Sequence, residues 1–171
     1  AQLRLAERKF VGVGTSEAMA NNIVEGQELE ISGFLVEGRE KDTIQMEVDN
    51  IIEMMPTHPA SIKAFLASPK IKGLGPKGAE SAVKKWGPKT LHILDTEPEQ
   101  FLEIRNVTPD KLENLKSSWS EWKLCYEALA KLRMLKVKDA DALKIYKHFG
   151  EASVNTVKND PYSITVVKGI S

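Results

Sequence analysis

The sequence predicts an α+β protein that is mainly helical, with a small antiparallel β region followed by tandem helical units. In residues 1–56, several stretches alternate apolar with polar residues, which is the period of half-buried strands. After residue 56 the apolar residues follow a helical period, and glycines and prolines divide the chain into short segments. One of these segments returns 63 residues later. These three observations predict a β domain followed by a helical array.

Three strands are predicted in the first part of the chain, over residues 9–13, 27–36 and 43–48. Residues 37–42, between the last two strands, are mostly charged and predict a hairpin loop. Residues 15–22 fit either a short helix or an irregular loop. Three strands form a small curved sheet or part of a barrel, and the sequence leaves both open.

Short helices are predicted from Pro59 onward, because prolines at 56 and 59 end the strand pattern. Gly87-Pro88 ends the second helix. Residues 109–119 also keep helical spacing. The other predicted helices span residues 61–67, 77–86, 90–94, 97–103, 120–132 and 139–148.

Two helix ends carry recognisable signals. Thr108 precedes Pro109, which predicts a capping hydroxyl followed by proline at the first helical position. Asp139 is predicted to cap a later helix, and Gly150 to end it. These signals place helix starts directly after two of the candidate turns discussed below.

The repeat indicates an array of small units. Trp86-Gly87 aligns with Phe149-Gly150 and Pro98 aligns with Pro161, so Gly and Pro stand eleven residues apart in both copies. In the same frame, residues 102–108 fall on residues 165–171. Self-similarity at a fixed period is typical of tandem supersecondary units.

Composition is that of an ordinary soluble protein, with 42% hydrophobic and 28% charged residues. The formal net charge is zero, but the charge is distributed unevenly. Residues 57–91 contain seven lysines and one acid, Glu80, whereas residues 1–56 are acidic. A basic segment of this kind is the electrostatic pattern that a polyanion requires.

The basic segment contains a candidate phosphate site. Gly73 and Gly75 flank Leu74, so the backbone can turn tightly with exposed N–H groups, and a predicted helix follows. The nucleic-acid backbone is the partner that such a turn fits best. The predicted DNA-binding residues of this turn are Lys70, Lys72, Gly73, Leu74, Gly75 and Lys77. The alternative is a helix connection that contains glycine and binds nothing.

Three further turns follow the same pattern less completely. Residues 105–108 and 136–139 keep the central apolar residue and lose both glycines, which favours packing units. Residues 168–171 recover one glycine, so Lys168 and Gly169 are added to the predicted DNA-binding residues. The second helix of that last unit would lie beyond residue 171.

No catalytic or metal-binding pattern is found. The segment from Gly73 to Gly78 lacks the Lys-Ser/Thr of a nucleotide-binding loop, and the three histidines have no ligand spacing. Cys125, the only cysteine, fits a core position in a reducing compartment. The tryptophans at 86, 119 and 122 could stack on bases, but core packing is favoured. No catalytic residue, metal ligand or membrane span is predicted.

The order and spacing of these units resemble a known family. The run Phe65-Leu66-Ala67-Ser68-Pro69-Lys70-Ile71-Lys72-Gly73-Leu74-Gly75-Pro76, then Trp86-Gly87, then Pro98 to Val107, and then His148-Phe149-Gly150, resembles the N-terminal region of RecD-like helicases. These are bacterial DNA helicases of the RecD/TraA type, related to the exodeoxyribonuclease V alpha subunit. The resemblance covers residues 9–171 and departs from the pattern at Asn106 and Thr108, where glycines are expected.

The resemblance implies a small OB-like β domain and tandem helix-hairpin-helix units ahead of an ATP-dependent motor that moves 5′ to 3′. The expected domains are a partial OB-like barrel over residues 1–56, a first helix-hairpin-helix pair over 57–119, and a truncated second pair over 120–171. A start without methionine and an end within a repeat indicate a piece of a longer protein.

The resemblance also implies a function. We expect an accessory, sequence-independent DNA-binding region of a cytoplasmic helicase that acts in recombination or repair. Its partners would be the DNA backbone, single-stranded or at a junction, and the motor in cis. This chain needs no cofactor, whereas ATP and Mg²⁺ are expected for the motor of the parent protein. The alternative is a rigid scaffold or protein-docking platform that positions the motor and has little DNA affinity.

Overall fold

The computed structural model describes residues 2–5, 8–14, 26, 28–37 and 44–170. It confirms the predicted class, because a small sheet is followed by helices that make up most of the chain. No helix within the described ranges is both long enough and apolar enough to cross a lipid bilayer. The predicted helix or loop at 15–22 lies outside the described residues, as does the predicted hairpin loop apart from Glu37.

The strands are β1 (Gln2–Leu5), β2 (Arg8–Gly14), β3 (Leu29–Glu37) and β4 (Ile44–Glu53), in the order β1-β2-β4-β3. The three predicted strands are confirmed, while β1 was not predicted and β4 extends five residues beyond its predicted end. The sheet is mixed. β1 with β2 and β3 with β4 are antiparallel, whereas β2 and β4 run parallel over Gly12–Gly14 and Met46–Val48. An OB-like barrel stays a prediction.

The helices are α1 (Pro59–Leu66), α2 (Gly75–Trp86), α3 (Thr90–Thr96), α4 (Pro109–Met134), α5 (Asp139–Phe149) and α6 (Ser153–Asn159). In the described part of the chain, 3₁₀ helices lie between these helices over Gly87–Lys89, Pro98–Glu103 and Gly150–Ala152, and a further one, Pro161–Val166, follows α6.

Two details of the helices differ from the prediction. Helix α4 is one continuous helix where two were predicted, over 109–119 and 120–132, because its buried residues keep one helical period from Leu112 to Leu132. Lys138, not Asp139, occupies the N-cap position of α5. The cap at Thr108 is confirmed, since its hydroxyl accepts the Lys111 N–H at 3.4 Å.

The described contacts divide the chain into two compact units. Unit 1 comprises Ala1–Ser68 and Gly75–Ile93, and unit 2 comprises Pro69–Leu74 and Leu94–Ser171. In unit 1, α1 packs on α2 and buries Ile62, Leu66, Ala79 and Ala82 completely. In unit 2, one core forms around Leu132, Ala142, Ile145, Val157 and Val167.

A carboxylate from the β region caps helix α1. The Glu28 side chain accepts the backbone N–H groups of Thr57 and His58 at 2.8 and 2.9 Å, and the Thr57 hydroxyl at 3.0 Å. Burial would raise the pKa of the Glu28 carboxyl, but these hydrogen bonds and one from Ser61 outweigh it and lower the pKa to about 2. The charged form of Glu28 is therefore part of the folded structure of unit 1.

The 63-residue repeat is confirmed in the structure. A helix, a three-residue 3₁₀ turn, a seven-residue helix and a six-residue 3₁₀ helix follow one another from residue 75 and again from residue 139. Gly87 and Gly150 have φ of 56° and 57°. Ala79 and Ala142 are fully buried, as are Thr90 and Ser153. Both copies therefore use the same backbone and the same buried positions.

Candidate nucleic-acid interface

Four turns occupy the positions where the sequence pattern predicts hairpins. We name them turn 1 (residues 71–74), turn 2 (104–107), turn 3 (134–137) and turn 4 (167–170). The third residue of each turn has a left-handed backbone: φ is 94° at Gly73, 68° at Asn106, 65° at Lys136 and 87° at Gly169. Asparagine tolerates the left-handed region moderately and lysine tolerates it poorly. Turns 2 and 3 therefore keep the left-handed backbone without glycine, the residue that favours it. The loss of glycine has not changed the backbone at this position.

Turns 2 and 4 have the same hydrogen bonds. The Val107 N–H donates to the Ile104 carbonyl at 3.1 Å, and the Ile170 N–H donates to the Val167 carbonyl at 3.2 Å. With a positive φ at the third residue, this is the arrangement of a type II turn. The second residue of each turn is basic and exposed, Arg105 in turn 2 and Lys168 in turn 4.

Turn 3 is built differently, because it ends a long helix. The Val137 N–H donates to the Leu132 carbonyl at 3.2 Å, and the Lys136 N–H donates to the Arg133 carbonyl at 2.9 Å. This pair of bonds is a Schellman motif, with Lys136 in the left-handed position that usually holds glycine. Turn 3 is therefore the C-terminal cap of α4.

Turn 1 packs against α4 within unit 2. The Lys72 N–H donates to the Ser118 hydroxyl at 3.0 Å. A Cβ placed on Gly73 would lie 2.2 Å from the Lys111 carbonyl oxygen, a distance that real Cβ atoms do not reach. Gly73 is thus required by close packing of two backbones as well as by its φ. The packing of Gly73 on α4 was not predicted, because the sequence does not show which helix a turn contacts.

Gly75 has a different environment from Gly73. Its φ is 67°, and among the described residues no atom outside its chain neighbours and its own helix backbone lies within 4 Å of a Cβ placed on it. Within the described part of the chain, the amides of Gly73, Leu74 and Gly75 donate no hydrogen bond. Gly75 is exposed and begins the twelve-residue helix α2. An external group can therefore approach its backbone closely.

The predicted lysines differ in accessibility. Lys72 and Lys77 are exposed, whereas Lys70 is half-buried, as is Leu74. In turn 4, Lys168 and Gly169 are exposed. The Gly169 carbonyl accepts a hydrogen bond from the Lys144 ammonium at 2.8 Å. The structure therefore leaves three of the predicted cations, at 72, 77 and 168, on the surface.

Part of the positive charge of unit 1 is already engaged. The Lys63 ammonium lies 3.6 Å from a Glu80 carboxylate oxygen. The Lys85 ammonium lies 5.1 Å from the centre of the Trp86 ring, within cation–π range. Exposed ion pairs of this kind contribute little to stability and leave the lysines able to exchange partners.

The aromatic residues of α4 form a stack. The rings of Trp119 and Trp122 lie 5.7 Å apart and those of Trp122 and Tyr126 lie 5.1 Å apart, nearly parallel in both cases. The Trp119 ring nitrogen donates to Asp95 at 3.2 Å, and only 5% of the residue is exposed. Core packing is thus confirmed for Trp119.

Beside this stack lies a groove of about 430 Å³ that the sequence did not reveal. Its wall includes Leu94, Pro98 and Leu124, and the opposite charges of Lys123 and Asp95 meet at its rim, 2.6 Å apart. In the described ranges, no group of three or more His, Cys, Asp or Glu side chains is placed to hold a metal ion.

Comparisons with known proteins relate part of the chain to a DNA helicase. No family model matches the chain, and no solved structure matches it. Over 125 residues, or 72% of its length, the chain is 28% identical to the ATP-dependent RecD2 DNA helicase of Deinococcus radiodurans. The aligned region is 17% of that helicase, so the chain spans a small part of its relative. This similarity supports a relation to RecD-like DNA helicases.

Proposed function

We propose that this chain is the accessory, sequence-independent DNA-binding region of an ATP-dependent RecD-like helicase that moves 5′ to 3′ in recombination or repair. The similarity to a RecD2 helicase supports the relation. The observation that carries the DNA-binding role is the backbone around Gly75, which is left-handed, exposed and free of neighbouring atoms where a side chain would point.

The proposed contact is chemically simple. A phosphate approaches the N–H of the exposed Gly75 at the start of α2, and the positive end of the helix dipole stabilises its charge. Lys77, exposed in the first turn of α2, adds a full positive charge. Neither interaction reads a base, so binding is independent of sequence and sensitive to salt.

The proposed partners follow from this role. The chain binds the sugar-phosphate backbone of single-stranded DNA or of a single-strand/duplex junction, and it is joined to a cytoplasmic helicase motor. ATP and Mg²⁺ belong to that motor. This sequence contains no Gly-x-x-x-x-Gly-Lys-Ser/Thr segment, so no ATP site is proposed here.

Binding of labelled DNA by the 171-residue chain tests the proposal. Fluorescence anisotropy is measured with single-stranded, duplex and junction oligonucleotides between about 50 and 200 mM salt. We expect affinity to fall steeply with salt and to be the same for unrelated sequences. Lys77→Ala should weaken binding uniformly and lower the salt slope by about one. No detectable binding at the lowest salt would contradict the proposal.

A second candidate function is a rigid scaffold that positions the motor. The packing of turn 1 against α4 favours it, because the Lys72 amide and the Gly73 backbone are engaged inside unit 2. A scaffold predicts high stability and no DNA affinity. The same titration distinguishes the scaffold from the DNA-binding region, since a scaffold gives no anisotropy change. A scaffold also predicts that a motor-containing protein loses activity when this chain is removed.

A further inference from the structure

The two copies of the repeat share one backbone but expose different side chains on their six-residue 3₁₀ helices. Pro98–Glu103 and Pro161–Val166 are each followed by a turn with a positive φ at its third residue. The capping bonds also correspond: Ile104 N–H to Phe101 carbonyl, and Val167 N–H to Ile164 carbonyl, both at 3.0 Å. Any difference in their surface chemistry is therefore independent of the fold.

The charge of the two segments is opposite in sign. Residues 94–105 contain four acids and one base, Arg105. Residues 157–168, at the equivalent positions, contain one acid and two bases, Lys158 and Lys168. The single acid, Asp160, accepts the Tyr162 N–H at 3.1 Å and so caps the 3₁₀ helix. Only the second segment is suited to a polyanion.

The second segment also exposes apolar surface. Tyr162 is 83% exposed and Val166 is 66% exposed, whereas the residues at their equivalent positions are Glu99 and Glu103. Between them, Ile164 packs against the core of unit 2. The ring of Tyr162 is therefore held on a short helix that is anchored on its other side. The Thr165 hydroxyl donates to the Tyr162 carbonyl at 2.8 Å, which further fixes this backbone.

We propose that Tyr162 stacks on an unpaired base of single-stranded nucleic acid, while Lys168 contacts a phosphate of the same strand. An exposed aromatic ring beside a basic turn supplies both interactions that single strands require, base stacking and backbone charge. In a duplex the base faces are covered by neighbouring bases, so Tyr162 would discriminate in favour of single strands. This inference rests on the proposed DNA-binding function and specifies which form of DNA the C-terminal copy binds.

Substitution of Tyr162 tests the inference on the 171-residue chain. Binding of a labelled oligothymidine of about 16 nucleotides is compared with binding of a blunt duplex of the same length. We expect Tyr162→Ala to weaken single-strand binding by about 5- to 100-fold and to leave duplex binding unchanged. Tyr162→Phe should retain single-strand binding, because the stacking face is preserved. Glu99→Ala, at the equivalent position of the other copy, is the matched control and should not weaken binding.

An oligonucleotide of the same length without bases provides a second readout. The wild-type chain and Tyr162→Ala should bind it equally, because no base is present to stack. Thermal unfolding of each variant checks that the fold is retained. Unchanged single-strand binding by Tyr162→Ala, or equal losses on both DNA forms, would overturn the inference. A different result would contradict the proposed function itself: the wild-type chain would then bind no DNA of any form.

Discussion

The two copies of the repeat, residues 75–107 and 138–170, share several buried positions and differ at the surface. Gly87 and Gly150 have nearly the same φ, and Leu94 and Val157 are both buried. At the surface, the first copy has an acidic 3₁₀ helix. The 3₁₀ helix of the second copy has no charged residue, exposes Tyr162 and Val166, and lies in a segment, 157–168, with a net positive charge. The difference shows that the fold depends on a few buried and left-handed positions, while the exposed positions are free to acquire different partners.

Glycine itself has two uses among the turns. Gly73 and Gly169 have similar φ, but an added Cβ meets the Lys111 carbonyl at 2.2 Å in one case and only the Lys144 ammonium at 3.7 Å in the other. The first glycine is required by packing and by φ, the second by φ alone. A glycine in a predicted phosphate-binding pattern is therefore not by itself evidence of a ligand.

The largest effect we predict separates these two glycines. Gly73→Ala should lower the free energy of unfolding by about 2 to 4 kcal/mol, since left-handed strain and a backbone clash add. Gly169→Ala should lower it by about 1 kcal/mol, from strain alone. Urea unfolding of both variants measures the difference. Equal losses would show that turn 1 does not pack on α4 as described.

A smaller effect should separate the two buried hydroxyls of the repeat. The Thr90 hydroxyl donates to the Gly87 carbonyl at 2.7 Å, whereas the hydroxyl of Ser153, at the equivalent position, has no partner among the described residues. Thr90→Val should cost about 1 kcal/mol, because the part-buried Gly87 carbonyl loses one of its two donors and keeps only the Thr90 backbone N–H. Ser153→Ala should be neutral or slightly stabilising. Thermal melts give both values, and a loss at Ser153 as large as at Thr90 would contradict the comparison.

The smallest effect concerns the caps of α1 and α4, one charged and one neutral. The pKa of Glu28 is lowered from 4.5 to about 2, so its contribution to stability is present above pH 4.5 and is lost as the pH falls through about 2. Glu28→Gln should cost about 1 kcal/mol at neutral pH and progressively less below pH 4.5.

Thr108→Ala is the control for this prediction, because a hydroxyl cap does not titrate. Its cost should be about 0.5 to 1 kcal/mol at every pH. Unfolding curves at several pH values between neutral and strongly acidic would distinguish the two caps. A loss from Glu28→Gln that does not change with pH would show that the carboxylate charge does not stabilise α1.

Several elements could be predicted because their signals are local. The alternating residues of β2, β3 and β4, the cap at Thr108 and the 63-residue repeat all depend on neighbouring positions or on a fixed spacing. Strand β1 has only four residues and pairs with β2, so its sequence alone is too short to show a pattern.

Other features depend on contacts that sequence does not record. The left-handed backbone at Asn106 and Lys136 is imposed by the turns on residues that disfavour it to different degrees. The packing of Gly73 on α4 and the capping of α1 by Glu28 join residues far apart in the chain. The DNA-binding residues of the candidate site stay a prediction, and the sequence did not show which of them are open to a ligand.

The most direct test of the phosphate-binding account is a side chain placed at Gly75. Gly75→Asn keeps a residue that tolerates positive φ and puts its side chain into the open space where we expect the phosphate. Gly87→Asn is the matched control, because Gly87 has a φ of 56° and the same open surroundings in the same unit. We expect Gly75→Asn to weaken DNA binding by about tenfold or more, and Gly87→Asn to bind like the wild type. Equal affinity of both folded variants would contradict it.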